Sequence, residues 1–140
     1  MMKPFLLLIV LVALFEMAAV VFGYALTYQI GYGAFSILAL TISATFLWLW
    51  VQRSTPLALG MAAGWGGAAG VMAWWWVYNT LQQPTWMQGN PMLFAFLSLY
   101  LVGALLHLEV IGRSFSLPWF ATIAPILGAF LVSCMVAFLS

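Results

Sequence analysis

The chain has 140 residues, of which 67% are hydrophobic and 4% are charged, and its formal net charge is +1. Soluble domains carry about 25% charged residues, so this composition excludes both an ordinary soluble protein and a disordered chain. Its three dispersed basic residues, Lys3, Arg53 and Arg113, cannot neutralise a phosphate backbone, which excludes nucleic-acid binding. The composition therefore predicts a single all-α domain, residues 1–140, that is integral to a membrane.

Long uncharged stretches divide the chain into five predicted transmembrane helices, with four as the alternative. A helix crosses the hydrocarbon with about 20 apolar residues, which places the spans at about 4–27, 34–52, 56–79, 91–112 and 117–139. The glycine- and tyrosine-bearing stretch 28–33 is expected to form the first turn, and the Gln-, Pro- and Asn-rich stretch 80–90 the third. Pro118 suits the first turn of the last helix, where its missing N–H would be unpaired in any case.

The basic residues indicate how these helices are oriented. With five spans, Lys3, Arg53 and Arg113 all fall at one end of the bundle, and the stretches 28–33 and 80–90 contain no Lys or Arg. Basic residues are retained on the cytoplasmic side of membranes. We therefore expect a cytoplasmic N-terminus, an external C-terminus and a location in a bacterial inner membrane. Tryptophans and tyrosines near the predicted helix ends are typical of interfacial belts.

Glu16 is the acidic residue that the predicted spans place deepest in the membrane, about twelve residues into the first helix. An ionised carboxylate at the bilayer centre costs about 2.5–3.5 kcal/mol on insertion scales, so Glu16 is expected to face protein or a cavity. A carboxyl group away from water favours its protonated form, and it can then hold either a proton or a cationic substrate. The alternative is a structural glutamate that is hydrogen bonded to a neighbouring helix.

Three other side chains have simpler expected roles. Glu109 precedes Arg113 by four residues, the favourable order for a helical ion pair. His107 is either a neutral histidine bonded to another helix or a proton-relay or quinone-contact residue. The single Cys134 excludes an internal disulfide and is expected to be a small packing residue. No residue spacing indicates a metal site, a cofactor site or a nucleophile–base pair, so we predict no metal, no cofactor and no enzymatic activity.

The third predicted helix is poor in large side chains. Its glycines are Gly60, Gly64, Gly66, Gly67 and Gly70. Two pairs of them have the small-xxx-small spacing that lets membrane helices approach closely, which predicts tight helix packing. Trp65 is the one aromatic residue within the glycine-rich stretch 60–70. Its side chain is therefore the candidate to project from this face of small residues into a substrate path.

The segment Gly112-Arg113-Ser114-Phe115-Ser116-Leu117-Pro118 resembles the end of a repeat in the drug/metabolite transporter superfamily. There a helix ends in Gly, a short basic turn follows, and a proline opens a glycine-bearing last helix, here with Gly128. Glu16 is similar to the membrane carboxylate of the small multidrug resistance proteins in that superfamily, which binds protons and cationic substrates in turn. This chain departs from the pattern in its fifth helix and in Thr122, which stands where a glycine is expected. The resemblance implies alternating-access transport by a dimer.

Together these features predict a small transporter or permease-like protein for a small organic solute. Glu16 would be the proton or substrate site, and Trp65 and His107 would be further substrate-binding residues. Five short helices enclose little volume, so a homo-oligomer in the lipid bilayer is expected to complete the cavity. The alternative is a non-catalytic accessory or assembly subunit of a larger complex, whose glycine face and tryptophan belt would contact partner membrane subunits.

Overall fold

A computed structural model describes residues 2–139, which form five α-helices joined by short turns. The helices are α1 (Met2–Phe22), α2 (Tyr24–Arg53), α3 (Pro56–Thr80), α4 (Met92–Ser114) and α5 (Phe120–Leu139), and a 3-10 turn, Thr85–Met87, lies between α3 and α4. No strand occurs in this part of the chain. All five helices are long and apolar enough to cross a membrane, which confirms the prediction of five candidate spans.

The first break between helices lies at Gly23 and not at residues 28–33. Gly23 is the one non-helical residue between α1 and α2, and its φ of 88° is a conformation that side-chain-bearing residues rarely adopt. The predicted turn at 28–33 is wrong because these residues belong to the second and third turns of α2. Their glycines are covered by neighbouring rings: a Cβ on Gly31 would lie 3.3 Å from Cε1 of Phe15, and one on Gly33 would lie 2.7 Å from Cε2 of Trp76.

The central helix of the fold is α3, which packs against α2 on one side and against α4 on the other. It holds half of the buried residues among those described, namely Ala58, Gly60, Ala62, Ala63, Gly67, Ala69 and Gly70. The peripheral helices differ from it, since neither α5 nor the part of α1 from residue 4 to 22 contains a buried side chain. Three inner helices therefore form the core, and α1 and α5 lie along its edges.

Small side chains on α2 allow α3 to approach it closely. Ser36 and Ala39 are each only 1% exposed in this interface. One turn further along, the Ser43 hydroxyl donates a hydrogen bond to the Ala62 carbonyl across the interface, at 2.7 Å. A Cβ on Gly66 would lie 2.9 Å from Oγ of the same serine. The contact thus combines small-residue packing with a hydrogen bond between the helices, as is common in membranes.

The contact between α3 and α4 is closer still, because backbone meets backbone. A Cβ on Gly67 would overlap the Tyr100 backbone and lie 2.6 Å from its Cα. A Cβ on Gly103 would overlap the backbone of Gly64 and lie 2.5 Å from its Cα. At Gly60 a Cβ would lie 3.1 Å from Cβ of Leu106. Glycine is required here by the approach of the helices and not by backbone dihedral angles.

Gly70 and Gly64 mark the two extremes of this interface. A Cβ on Gly70 would overlap the ring of Phe96, whereas a Cβ on Gly64 would meet no atom within 4 Å. The backbone of Gly64 therefore contacts α4, but a side chain at this position would point into open space. The five glycines that share a sequence pattern on α3 consequently have different packing environments.

The alternation of the helices predicts that Thr55 and Thr85 lie on opposite sides of the membrane. Thr55 is exposed in the α2–α3 turn, and Thr85 is exposed in the α3–α4 connection. We expect Thr55→Cys and Thr85→Cys, each in a Cys134→Ala background, to react with a membrane-impermeant maleimide from opposite sides of sealed vesicles. Reaction of both cysteines from one side would contradict five spans. The unsubstituted Cys134→Ala protein controls for background labelling.

Candidate functional site

Two open cavities lie beside α3 and contain the residues that the sequence analysis singled out. The first, the tyrosine cavity, has a volume of about 410 Å³, and its aromatic and polar lining is Phe15, Glu16, Tyr24, Thr27, Tyr28, Tyr32 and Phe35. The second, the histidine groove, has a volume of about 510 Å³, and its lining includes Gly60, Gly64, Trp65, Tyr100, Gly103 and His107. Both volumes are in the range of small-molecule sites.

Glu16 supplies the negative charge of the tyrosine cavity. The break at Gly23 places it six residues before the end of α1 at Phe22, about 9 Å along the helix axis. The sequence analysis placed it near the middle of a longer first helix, 4–27, because it put the first turn after residue 27. Among the described side chains, which do not include that of Lys3, no basic residue forms an ion pair with Glu16. Its carboxyl group is thus available to a proton or to a cation from outside the chain.

Three tyrosines one helical turn apart form a column of rings along α2 beside this carboxyl group. The ring centroids of Tyr24 and Tyr28 are 5.9 Å apart, and those of Tyr28 and Tyr32 are 4.2 Å apart. Phe15 faces the column from α1 and packs over Gly31. The faces of aromatic rings carry partial negative charge and attract cations. The cavity therefore combines an acidic side chain with a curved aromatic wall.

Thr27 carries an unsatisfied hydroxyl beside the same cavity. Its residue is 8% exposed, and its Oγ1 is buried without a hydrogen-bond partner. A buried polar atom of this kind costs about 1–3 kcal/mol unless something pairs with it. Thr27 lines the tyrosine cavity, but its hydroxyl oxygen is covered by protein atoms and does not face the open space.

The histidine groove lies between α3 and α4 and holds the other two predicted substrate residues, Trp65 and His107. Nδ1 of His107 is also buried without a partner among the described residues. The ring of Trp65 faces that of Phe35, with centroids 6.5 Å apart and planes at 41°. Since Phe35 lines the tyrosine cavity, this pair of rings lies where the two cavities adjoin. The three predicted residues are therefore divided between two neighbouring cavities.

Two other sequence predictions have a clear outcome. Arg113 donates to the Glu109 carboxylate in an exposed helical ion pair, with side chains 78% and 47% exposed, as predicted. Cys134 is exposed on α5, so its expected role as a packing residue is wrong. It lies on α5, which contains no buried residue. Among the described residues no group of His, Cys, Asp and Glu could hold a metal ion.

The tyrosine column was not identified as a site from the sequence. Tyr24, Tyr28 and Tyr32 follow each other at intervals of four residues, which places them on one face of a helix. That periodicity was hidden because 28–33 was assigned to a turn, and the tyrosines were interpreted as an interfacial belt. Thr27, which lines the tyrosine cavity, was predicted only as the last residue of the first helix.

No protein-family model, no curated protein and no solved structure matches this chain. The resemblance to the drug/metabolite transporter superfamily thus stays a prediction, and the function is inferred from the chemistry of the two cavities.

Proposed function

We propose that this protein is a small membrane transporter that binds a small organic cation in the tyrosine cavity. The observation that carries the proposal is the position of Glu16, which forms no ion pair with the described side chains, beside the ring column of Tyr24, Tyr28 and Tyr32. An acidic group can take up either a proton or a cation, so exchange of one for the other would couple solute movement to proton movement.

The aromatic wall suits a cation better than a neutral solute. A cation over a tyrosine ring gains about 0.5–1 kcal/mol at an exposed position and about 2 kcal/mol where water is excluded. Phe15 and Phe35 extend the aromatic wall of the cavity beyond the three tyrosines. One side of the cavity stays open, and a second copy of the chain in the bilayer would close it, which supports a homo-oligomer.

The proposed orientation follows from the basic side chains. Arg53 ends α2 and Arg113 lies in the last turn of α4, so both are at the same end of the antiparallel inner helices. Basic residues favour the cytoplasmic side, which supports a cytoplasmic position for this end in an inner membrane. The tyrosine cavity, close to the Gly23 turn, would then open towards the external side.

An accessory subunit is the second candidate, and one observation favours it. The faces of α1 and α5 are apolar and unburied over residues 4–22 and 120–139, so partner subunits could pack on them. Purification in a mild detergent separates the two proposals. A homo-oligomer supports transport, and stoichiometric co-purification of unrelated membrane subunits supports the accessory role.

Binding of matched probes tests the cation site directly. We expect the purified protein to bind benzyltrimethylammonium in equilibrium dialysis and to bind its neutral isostere neopentylbenzene no better than protein-free detergent micelles do. Tyr28→Leu should weaken cation binding roughly two- to thirtyfold, the equivalent of about 0.5–2 kcal/mol, because it removes the central ring of the column. Tyr28→Phe, which keeps the ring, should bind almost as well as the unsubstituted protein.

Tyr78→Leu is the matched control for these variants. Tyr78 accepts a hydrogen bond from Gln88 at 3.0 Å in the α3–α4 connection and lines neither of the two cavities. Its substitution should leave cation affinity unchanged. Equal binding of the cation and its isostere above the micelle background, or equal losses in Tyr28→Leu and Tyr78→Leu, would refute the tyrosine cavity as a cation site.

A further inference from the structure

We propose that a pocket between α4 and α5 binds a phospholipid whose headgroup carries one phosphate and one protonated primary amine, as that of phosphatidylethanolamine does. This interfacial pocket has a volume of about 600 Å³, and its lining includes Leu105, Glu109, Arg113, Trp119, Thr122 and Ile123. It lies at the opposite end of the bundle from the tyrosine cavity. The proposal is therefore independent of the cation site.

The interfacial pocket lies at the depth of the lipid headgroups. Helix α4 has 23 residues, or about 34 Å at 1.5 Å per residue, which slightly exceeds the ~30 Å of a hydrocarbon layer. Arg113 is in the last turn of this helix, and Trp119, which follows the turn to α5, is 76% exposed. Basic and tryptophan side chains anchor membrane proteins at the interface. A ligand of this pocket therefore lies beside the lipid phosphates.

Arg113 and Glu109 supply one positive and one negative charge to the pocket. Nη2 of Arg113 donates to Oε1 of Glu109, which is the one hydrogen bond that this guanidinium group forms with the described residues. A guanidinium group has five N–H donors and a carboxylate has two acceptor oxygens, so each group can bind a further partner without breaking the pair. Both side chains are exposed, so their remaining polar atoms are accessible to a ligand.

The two charges distinguish between classes of headgroup. Every phospholipid offers a phosphate that can accept hydrogen bonds from Arg113, but the extra charge of an anionic headgroup is repelled by Glu109. A choline headgroup has balanced charge, yet its trimethylammonium group has no N–H. A primary ammonium group donates hydrogen bonds to a carboxylate, and such charge-assisted bonds are stronger than neutral ones. The pair therefore matches an ethanolamine headgroup best.

The apolar lining favours a lipid over a soluble phosphate ester. Leu105 lies one helical turn before Glu109, towards the membrane interior, and Ile123 lies on α5 four residues after Trp119. Leu105 is 40% exposed and Ile123 is 38% exposed, so both can be covered further. The acyl chains of a lipid with its headgroup at Arg113 would lie against them, whereas a free headgroup would leave them uncovered.

The turn from α4 to α5 fixes the shape of the pocket. The Ser116 N–H donates to the Arg113 carbonyl at 3.3 Å, and the Leu117 N–H donates to the Gly112 carbonyl at 2.8 Å. These are the bonds of a Schellman motif, in which Ser116 has a left-handed φ of 52°. Gly112 is buried, and a Cβ on it would lie 3.1 Å from Oγ1 of Thr122, so α5 begins close to α4. The pocket is thus formed without the lipid.

Titration of the detergent-solubilised protein with lipids in native mass spectrometry tests the proposal. The probes are dioleoylphosphatidylethanolamine, its N-methyl and N,N-dimethyl derivatives, dioleoylphosphatidylcholine and dioleoylphosphatidylglycerol. We expect one molecule of phosphatidylethanolamine to bind roughly two- to tenfold more tightly than phosphatidylcholine, the equivalent of one hydrogen bond. Within the methylated series the largest loss should come with the last methyl group, because it removes the last N–H.

Glu109→Gln should change the selectivity of the pocket without abolishing binding. The amide has no charge, so the preference for ethanolamine over choline should be lost and phosphatidylglycerol should become the tightest ligand. Arg113→Gln should weaken binding of all these lipids, because all of them bind through the phosphate. Both substituted side chains are exposed, so neither change disturbs the packing.

Arg53→Gln is the matched control for Arg113→Gln. It removes a positive charge at the same end of the bundle, but Arg53 does not line the interfacial pocket. Lipid affinities and their order should stay as in the unsubstituted protein. Equal losses in the two variants would show that basic charge at this end attracts the lipids without the pocket, which would overturn the proposal.

Three other results would also overturn it. Equal affinities for phosphatidylethanolamine and phosphatidylcholine would remove the role of the primary amine. A Glu109→Gln protein that kept the ethanolamine preference would show that the amine does not bind Glu109. Phosphoethanolamine without acyl chains, if it bound as tightly as the lipid, would show that the ligand is a soluble phosphate ester.

Discussion

Gly67→Leu is expected to prevent stable folding of the inner three helices. A Cβ at this position would overlap the backbone of Tyr100 and lie 2.6 Å from its Cα. Backbone atoms cannot move away by changing rotamer, so α3 and α4 would have to separate along their whole contact. Overpacking in a core commonly costs about 1–3 kcal/mol, and a full leucine against backbone is expected to reach or exceed the upper value. We expect little or no monodisperse protein after purification, and a Tm well below that of the unsubstituted protein.

Two substitutions of the same kind serve as controls for Gly67→Leu. Gly64 is less than one helical turn away on the same helix and Gly128 lies on α5, and a Cβ on either would meet no atom within 4 Å. Both leucine variants should keep the unsubstituted yield and Tm. A Gly67→Leu protein with an unchanged Tm would show that α3 and α4 do not meet at this position.

The glycines of α3 show what the periodicity of the sequence can and cannot predict about helix packing in this fold. Small-xxx-small spacing identified α3 as the helix with a close contact, and α3 is the central helix of the core. The same spacing could not distinguish Gly64 from Gly67, because the difference depends on where α4 lies around α3. Gly103 was missed for the related reason that α4 has no second glycine four residues away from it.

The helix break at Gly23 shows a second limit of the sequence. Gly23 lies in an apolar run, between Phe22 and Tyr24, so nothing in its neighbours' polarity indicates a turn. The stretch 28–33 appears more like a turn because of its glycines and polar side chains. Those side chains instead line a cavity, and the glycines accommodate rings from α1 and α3. A helix in a membrane tolerates glycine where a neighbouring helix covers it.

The candidate site was predictable in its parts but not in its arrangement. Glu16 is identifiable from the sequence because inserting an acidic residue in an apolar membrane helix costs free energy, and such residues usually have a functional role. Its partners come from α2, and they are known only when α1 turns back at Gly23. With the turn at 28–33, Thr27 would have ended the first helix and Tyr28 would have lain in the turn, so neither would have been on the helix that lines the cavity beside Glu16.

Glu16→Gln should reduce cation binding and uncouple cation uptake from proton movement. Glutamine keeps the shape of the side chain and its capacity for hydrogen bonds but not its charge, so the protein should fold normally. Loss of the charge removes the coulombic attraction between the carboxylate and the ammonium group, about 1–4 kcal/mol at a separation of about 4 Å near a protein surface, so the affinity for benzyltrimethylammonium should fall roughly five- to thousandfold. A proton gradient should drive uptake of the probe into liposomes with the unsubstituted protein and no longer with the glutamine variant, because an amide cannot exchange a proton for the cation.

Glu109→Gln is the matched control because it neutralises the other acidic residue of the chain. Glu109 is exposed and already paired with Arg113, and an exposed ion pair contributes about 0–1 kcal/mol. Cation affinity and uptake driven by a proton gradient should stay as in the unsubstituted protein. If Glu16→Gln kept this uptake and Glu109→Gln abolished it, the coupling carboxylate would lie at the opposite end of the bundle, beside the turn to α5. Glu16 would then not exchange a proton for the cation, and the rings of the tyrosine cavity, with cation–π attraction of about 0.5–2 kcal/mol, would have no part in coupling.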